Sequence, residues 1–225
     1  MTALALSLLL TIGAATALSA DIVSQLPRDA NQIWFDSQFA YPLHPRINIT
    51  GSGTLRLGRG LDHFVYERAG AAVSFKALRF LTIAPSCYYV ASQPLPGQDT
   101  REQRLAVDGI LSWRLHGFDL SDRNRFERRQ MPLNTYFRYM NRLMIQHPVR
   151  LRTMSINAYL SDEVYYDGLL ATWSRNRFSA GIGKRINPYI LMEFYYLRQN
   201  DHYSKPGDIN VFGINFKMQA IHKHS

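Results

Sequence analysis

The chain has one cysteine, Cys87, in 225 residues. A lone thiol excludes an intrachain disulfide and leaves no second sulfur for a thiolate zinc cluster. Acidic residues are also scarce, 17 Asp and Glu against 26 Lys and Arg, so the formal net charge is +9. Such a balance suits nucleic acid, an anionic membrane surface or an interior of partly paired arginines, and cannot by itself choose among them. Long apolar runs are missing after the first twenty positions, which excludes a bundle of membrane helices, each needing about 20 such residues. No segment shows the 3.6-residue period of a long amphipathic helix.

What is present begins with "MTALALSLLLTIGAATALSA". An apolar core followed by small residues, with Ala15-Thr16-Ala17 and Ala17-Leu18-Ser19 as cleavable patterns, reads as a secretory signal over 1–20.

Beyond it the period is two. In "RLAVDGILSWRL", Leu105, Val107, Leu111 and Trp113 share one side and Arg104, Asp108, Ser112 and Arg114 the other. In "FDLSDRNRFERRQ" the polar side is Arg123, Arg125, Glu127 and Arg129, against Phe118, Leu120 and Phe126. "NTYFRYMNRLMIQ" sets Arg138 and Arg142 opposite Phe137, Leu143 and Ile145. The same rule assigns Glu163, Arg175, Arg177 and Glu193 to the polar side of later segments, and Phe212, Ile214, Phe216 and Met218 to the apolar one.

Eleven such runs are visible, near 32–39, 46–57, 63–76, 78–91, 101–115, 117–130, 135–146, 153–165, 172–184, 189–199 and 208–218. Turn chemistry such as His116-Gly117, Asn187-Pro188 and Lys205-Pro206-Gly207-Asp208 separates many of them. Strands this long exceed the usual five or six residues of a soluble sandwich. They match the ~9–11 tilted residues that cross a bilayer, where closure satisfies every backbone donor and acceptor. The sequence therefore predicts an all-β protein, a closed antiparallel transmembrane β-barrel over 21–219 with a short basic tail at 220–225. Because bacterial single-chain barrels have even strand numbers, twelve strands are expected, with ten as the alternative.

Turned inside out in this way, the barrel encloses Arg104, Asp108, Arg123, Arg125, Glu127, Arg129, Arg138, Arg142, Glu163, Arg175, Arg177 and Glu193. Buried ions must be paired or wet. The set is expected either to fill the lumen as a register-fixing ion-pair network or, through its excess of cations, to line a narrow pore or pocket for small anionic solutes.

"NQIWFDSQF", "REQRLAVDGILSWRL", "RNRFERRQ", "YFRYMNRLMI", "LSDEVYYD", "RNRFSAGIGKRINPYILMEFYYLRQ" and "FGINFKM", in that order, resemble the bacterial family of domain of unknown function number 2490, grouped with outer-membrane β-barrels. The likeness is strongest from Arg101 to Met218. It implies a barrel, a signal peptide and an outer-membrane address, and no activity.

His202-Tyr203-Ser204 is the one His-x-Ser pattern; on a strand it would align an imidazole with a hydroxyl as in barrel lipid hydrolases. Its Asn200-Asp201 and Lys205-Pro206-Gly207 surroundings read as loop, so a non-enzymatic protein is expected. "GSGTLRLG" at Gly51–Gly58 lacks dinucleotide-loop spacing, and His222 with His224 makes a poor metal site. No cofactor, metal or nucleic acid is expected. The expected partners are outer-membrane lipid and a small anionic solute, and the expected state is monomeric. The competing reading is a soluble periplasmic lipocalin-like barrel with its apolar groups inside.

Overall fold

The computed structural model describes residues 29–220 apart from positions 153 and 205. The expected signal segment over 1–20, and His222 and His224 of the tail, lie outside the described residues. Eleven strands run in sequence order: β1 (Asp29–His44), β2 (Ile47–Gly58), β3 (His63–Lys76), β4 (Leu81–Ser92), β5 (Thr100–Leu115), β6 (Phe118–Gln130), β7 (Thr135–Leu151), β8 (Met154–Asp167), β9 (Thr172–Asn187), β10 (Ile190–Asp201) and β11 (Asp208–Gln219).

Each strand pairs antiparallel with the next, and β1 closes onto β11. The count is eleven, which corrects the expected twelve and its alternative of ten. An up-and-down meander of odd number brings its first and last strands together running the same way. The closing ladder is accordingly parallel, from Asp29↔Asp208 to Ala40↔Gln219. Even parity is a habit of bacterial barrels; a parallel seam satisfies the backbone as well as an antiparallel one does.

The two ends differ. At one, the connections are short: residues 45–46, 77–80, 116–117, 152–153 and 188–189. The β5–β6 turn places both His116 and Gly117 at positive φ, 48° and 87°, as a two-residue hairpin turn requires. At the other end the connections are longer, reaching seven residues between β4 and β5 and six between β10 and β11.

Several strands outrun their apolar signal. β7 continues to Leu151 although Pro148 suggests an earlier stop, because past Gln146 it pairs only with β8. A proline on such an edge removes no ladder bond that a neighbour needs.

Alternation decides what the wall shows on each side. Phe126, Phe137 and Phe212 are each about 65% exposed on the outside. Leu105, Leu143, Ile182 and Phe216 join them there, so most of the apolar surface faces away from the barrel interior. A soluble barrel with an apolar interior needs the reverse, and that competing reading fails on this orientation.

One outward island is polar. Asn141 Nδ2 donates to Asp122 Oδ1 at 2.6 Å, Tyr139 Oη donates to Asn124 Oδ1 at 2.5 Å and Asn176 Nδ2 donates to Asp162 Oδ1 at 2.8 Å. Their mutual bonding makes outward carboxylates tolerable on this face.

Candidate functional site: an arginine-lined interior

Strand geometry projects every second side chain inward, so polar residues spaced two apart meet in one enclosed space. All twelve charged residues expected inside line a single internal cavity of about 700 Å³. The strands bring them together around one space, as several ion-paired groups.

Like charges face each other across two ladders, β5–β6 and β6–β7, and are reconciled by neighbouring carboxylates. Arg104 pairs with Arg129 in the β5–β6 register, and Glu102 joins both. It accepts Arg129 Nη2 at 2.5 Å, Arg129 Nε at 2.9 Å and Arg104 Nε at 2.8 Å. Four residues along each strand, Arg125 forks onto Asp108 directly opposite, with both bonds at 2.6 Å. Side by side and planar, this is the strongest geometry available to a guanidinium and a carboxylate.

Across β6 to β9 a row runs Arg123, Arg142, Glu163, Arg177 by direct cross-strand pairing. Glu163 accepts from Arg123 and from the Tyr165 hydroxyl, which in turn accepts Arg177 Nη1 at 2.6 Å. Arg138 reaches Asp167 at 2.6 Å and Arg175 reaches Asp201 at 2.5 Å. Glu193 accepts Lys217 Nζ at 2.7 Å and Asn215 Nδ2 at 2.9 Å.

The interior is graded along the axis. Toward the longer connections, Val90 and Val211 are wholly buried, and Trp34, Leu197, Ile209 and Val211 form a small apolar cluster. Leu95, in the β4–β5 connection, is buried there too. Toward the short turns the inward side chains are Thr50, Ala72, Ser74 and Met144, none of them fully buried, and Ser112 is exposed. Among the described residues, the inward side chains are thus more tightly buried toward the longer connections than toward the short turns, while the cavity lining runs from Arg59, Pro94 and Pro206 at the one end to Thr50, Ser74 and Met144 at the other.

Cations outnumber carboxylates around it. Twelve Arg and Lys line the cavity with six Asp and Glu. Asp167 and Asp201, just outside the lining, take up Arg138 and Arg175. Among the described residues, the cavity-lining Arg56, Arg59, Arg68 and Arg142 have no carboxylate within ion-pair distance; Arg59 Nη2 donates to Gln93 Oε1 at 2.6 Å. Arg56 is instead sandwiched between Trp34 and Tyr66, its guanidinium 3.7 Å and 4.0 Å from the ring centroids. Such stacking holds a cation without neutralising it. Arg68 donates to Thr54 Oγ1 at 2.9 Å. The Nε atoms of Arg56, Arg68 and Arg142 are buried with no acceptor.

Two glycines make room for this arrangement. A Cβ on Gly213 would lie 2.0 Å from Tyr195 Cζ, and one on Gly70 would lie 2.2 Å from Tyr88 Cδ1. The rings therefore lie flat against the cross-strand glycine. Tyr195 Oη then donates to Asp36 Oδ2 at 2.9 Å, and Tyr88 Oη accepts Arg125 Nη2 at 3.4 Å.

The sequence reading omits Asp36, Arg56, Arg68, Glu102, Asp167, Asp201 and Lys217. Asp167 and Asp201 each sit two residues beyond the expected strand ends at 165 and 199, so extending the alternation one more step finds them. Glu102 stands two before Arg104 and carries the same signal. The first third of the chain, rich in Gly and Ala, blurs the alternation that would have exposed Arg56 and Arg68.

His202, Tyr203 and Ser204 lie past the end of β10, where Asp201 Oδ1 accepts the backbone N–H of Tyr203 at 2.8 Å and of Ser204 at 3.0 Å. The segment is a turn built on Asp201, so strand alternation does not align the imidazole with the hydroxyl.

The barrel is similar to LpxR from Salmonella typhimurium, with a TM-score of 0.50, 7% identity, and coverage of 77% of this chain and 83% of that one. LpxR is an enzyme, which corrects the expectation of a non-enzymatic protein: this fold carries catalysis elsewhere and gives no ground for excluding it. The siderophore receptor PirA from Pseudomonas aeruginosa aligns over 79% of this chain and 35% of its own at 11% identity, and its TM-score of 0.28 marks no common fold. A search of curated proteins finds no match. The family model described as "Protein of unknown function (DUF2490)" matches residues 31–210, and the chain belongs to that family.

Proposed function

We propose that this protein is an outer-membrane β-barrel whose interior takes up small anionic solutes through its short-turn end. The outward apolar wall supports membrane insertion, since a closed ladder leaves no backbone group for hydrocarbon to strand. The observation that carries the solute reading is the pair of inward arginines, Arg68 and Arg142, that line the cavity and lack a carboxylate partner. Excess cations around a narrow space attract anions and repel cations. Because ion pairs and buried apolar side chains crowd the cavity toward the longer connections, the interior acts as a pocket more than as a wide channel.

Titration of inorganic phosphate into the detergent-purified barrel, followed by calorimetry, tests this. Binding is expected, and Arg142→Gln should weaken it by roughly tenfold or more, the worth of one charged hydrogen bond. No heat of binding in the unaltered protein, or equal affinity in the variant, overturns the proposal.

A further inference from the structure

The short-turn rim carries a charge pattern that the interior network does not use. Every connection at this end contains an exposed cation or has one within three residues: Arg46, Arg79, Arg114, Arg152 and Arg185, going round the barrel. Within three residues of those turns stands one carboxylate, Asp119, whose Oδ1 lies 2.9 Å from Arg114 Nε. The opposite end is mixed, with Asp62, Asp99, Asp167, Asp201 and Asp208 in or beside its connections.

Just inward from Arg46, Arg79 and Arg114 in turn, Tyr41, Phe75 and Trp113 are exposed on the outer wall. Aromatic rings of this kind settle where hydrocarbon gives way to headgroups. Cations spaced round the rim directly beyond exposed aromatic rings have the layout of a surface that meets a flat anionic sheet, because each cation then stands at headgroup depth on its own sector of the wall. A single small ion could engage only one sector.

We infer that the short-turn rim binds the anionic headgroups of the membrane leaflet at that end, with phosphatidylglycerol-type lipids favoured over zwitterionic ones. This rests on the membrane-spanning reading. Near an anionic surface each Lys or Arg is worth roughly fivefold in partitioning. With Arg114 neutralised by Asp119, the four sectors of Arg46, Arg79, Arg152 and Arg185 should enrich anionic lipid around the barrel.

The test uses the full barrel folded into phosphatidylcholine vesicles, with trace spin-labelled phosphatidylglycerol or spin-labelled phosphatidylcholine reporting lipid held at the protein. Phosphatidylglycerol should be held at least fivefold more strongly, and the preference should collapse at about 1 M salt, where the screening length is about 3 Å. Arg79→Gln/Arg152→Gln/Arg185→Gln should abolish it, while Arg101→Gln/Arg128→Gln, at the other end, should leave it intact. An inserted barrel with no headgroup preference, or equal loss in both variants, overturns the rim proposal and leaves the membrane reading standing. Phosphatidylglycerol preference that free inorganic polyphosphate abolishes by occupying the rim, at concentrations that leave the vesicles intact, supports a phosphate-selective rim. Failure to insert in any vesicle removes both proposals together.

Discussion

Arg125 and Asp108 face each other across the β5–β6 ladder and share two parallel hydrogen bonds of 2.6 Å, with both side chains under a tenth exposed. Neither ion would tolerate this position alone, because the desolvation cost of each is offset only by the other. Asp108→Ala should lower the unfolding free energy by roughly 3–5 kcal/mol, since it strands a buried guanidinium. Replacing both residues with Leu should recover most of that loss. Urea unfolding of the folded barrel in detergent, run as a double-mutant cycle, reads the coupling.

Arg142 tells the opposite story. It faces Arg123 across one ladder and Glu163 across the other, yet has no ion pair among the described residues, because Glu163 is engaged by Arg123 and Tyr165. Arg142→Gln should change stability by no more than about 1 kcal/mol in either direction, relief of the like-charge pair offsetting the lost attraction to Glu163. A loss of several kcal/mol in the same unfolding measurement would mean that Arg142 is part of the filling and is not available to a solute.

Gly213 accommodates the Tyr195 ring at a distance no Cβ can share. Gly213→Ala should cost roughly 1–3 kcal/mol through overpacking. Gly213→Ala combined with Tyr195→Leu should lose less than the sum of the two single changes.

Arg56 lies between Trp34 and Tyr66 with both rings within 4.0 Å of its guanidinium carbon. Arg56→Gln should lower stability by roughly 1–2 kcal/mol, the worth of a desolvated cation–π contact. It should also shift Trp34 fluorescence, compared with a variant retaining Trp34 and lacking Trp113 and Trp173.

Much of this was legible in the sequence because alternation reports faces directly. The inward placement of Arg123, Arg125, Glu127 and Arg129 follows from nothing more than their spacing against Phe118 and Phe126. Partners were not legible, since cross-strand register depends on turn length and bulges, such as the shift between Tyr165 and Tyr166. The strand count was visible as eleven runs and was lost to a parity rule that the parallel β1–β11 seam does not obey. The graded filling of the interior escaped entirely. It arises from where Trp34, Leu197, Ile209 and Val211 converge, and they come from three strands.

The account turns on which side of the wall meets lipid. In a Cys87→Ser background, nitroxides at positions 138 and 143 in the vesicle-inserted barrel report exposure to oxygen, which partitions into hydrocarbon, and to a water-soluble paramagnetic reagent. The label at 143 should relax with oxygen and that at 138 should not. Oxygen-dependent relaxation at 138 with water exposure at 143 would contradict the account.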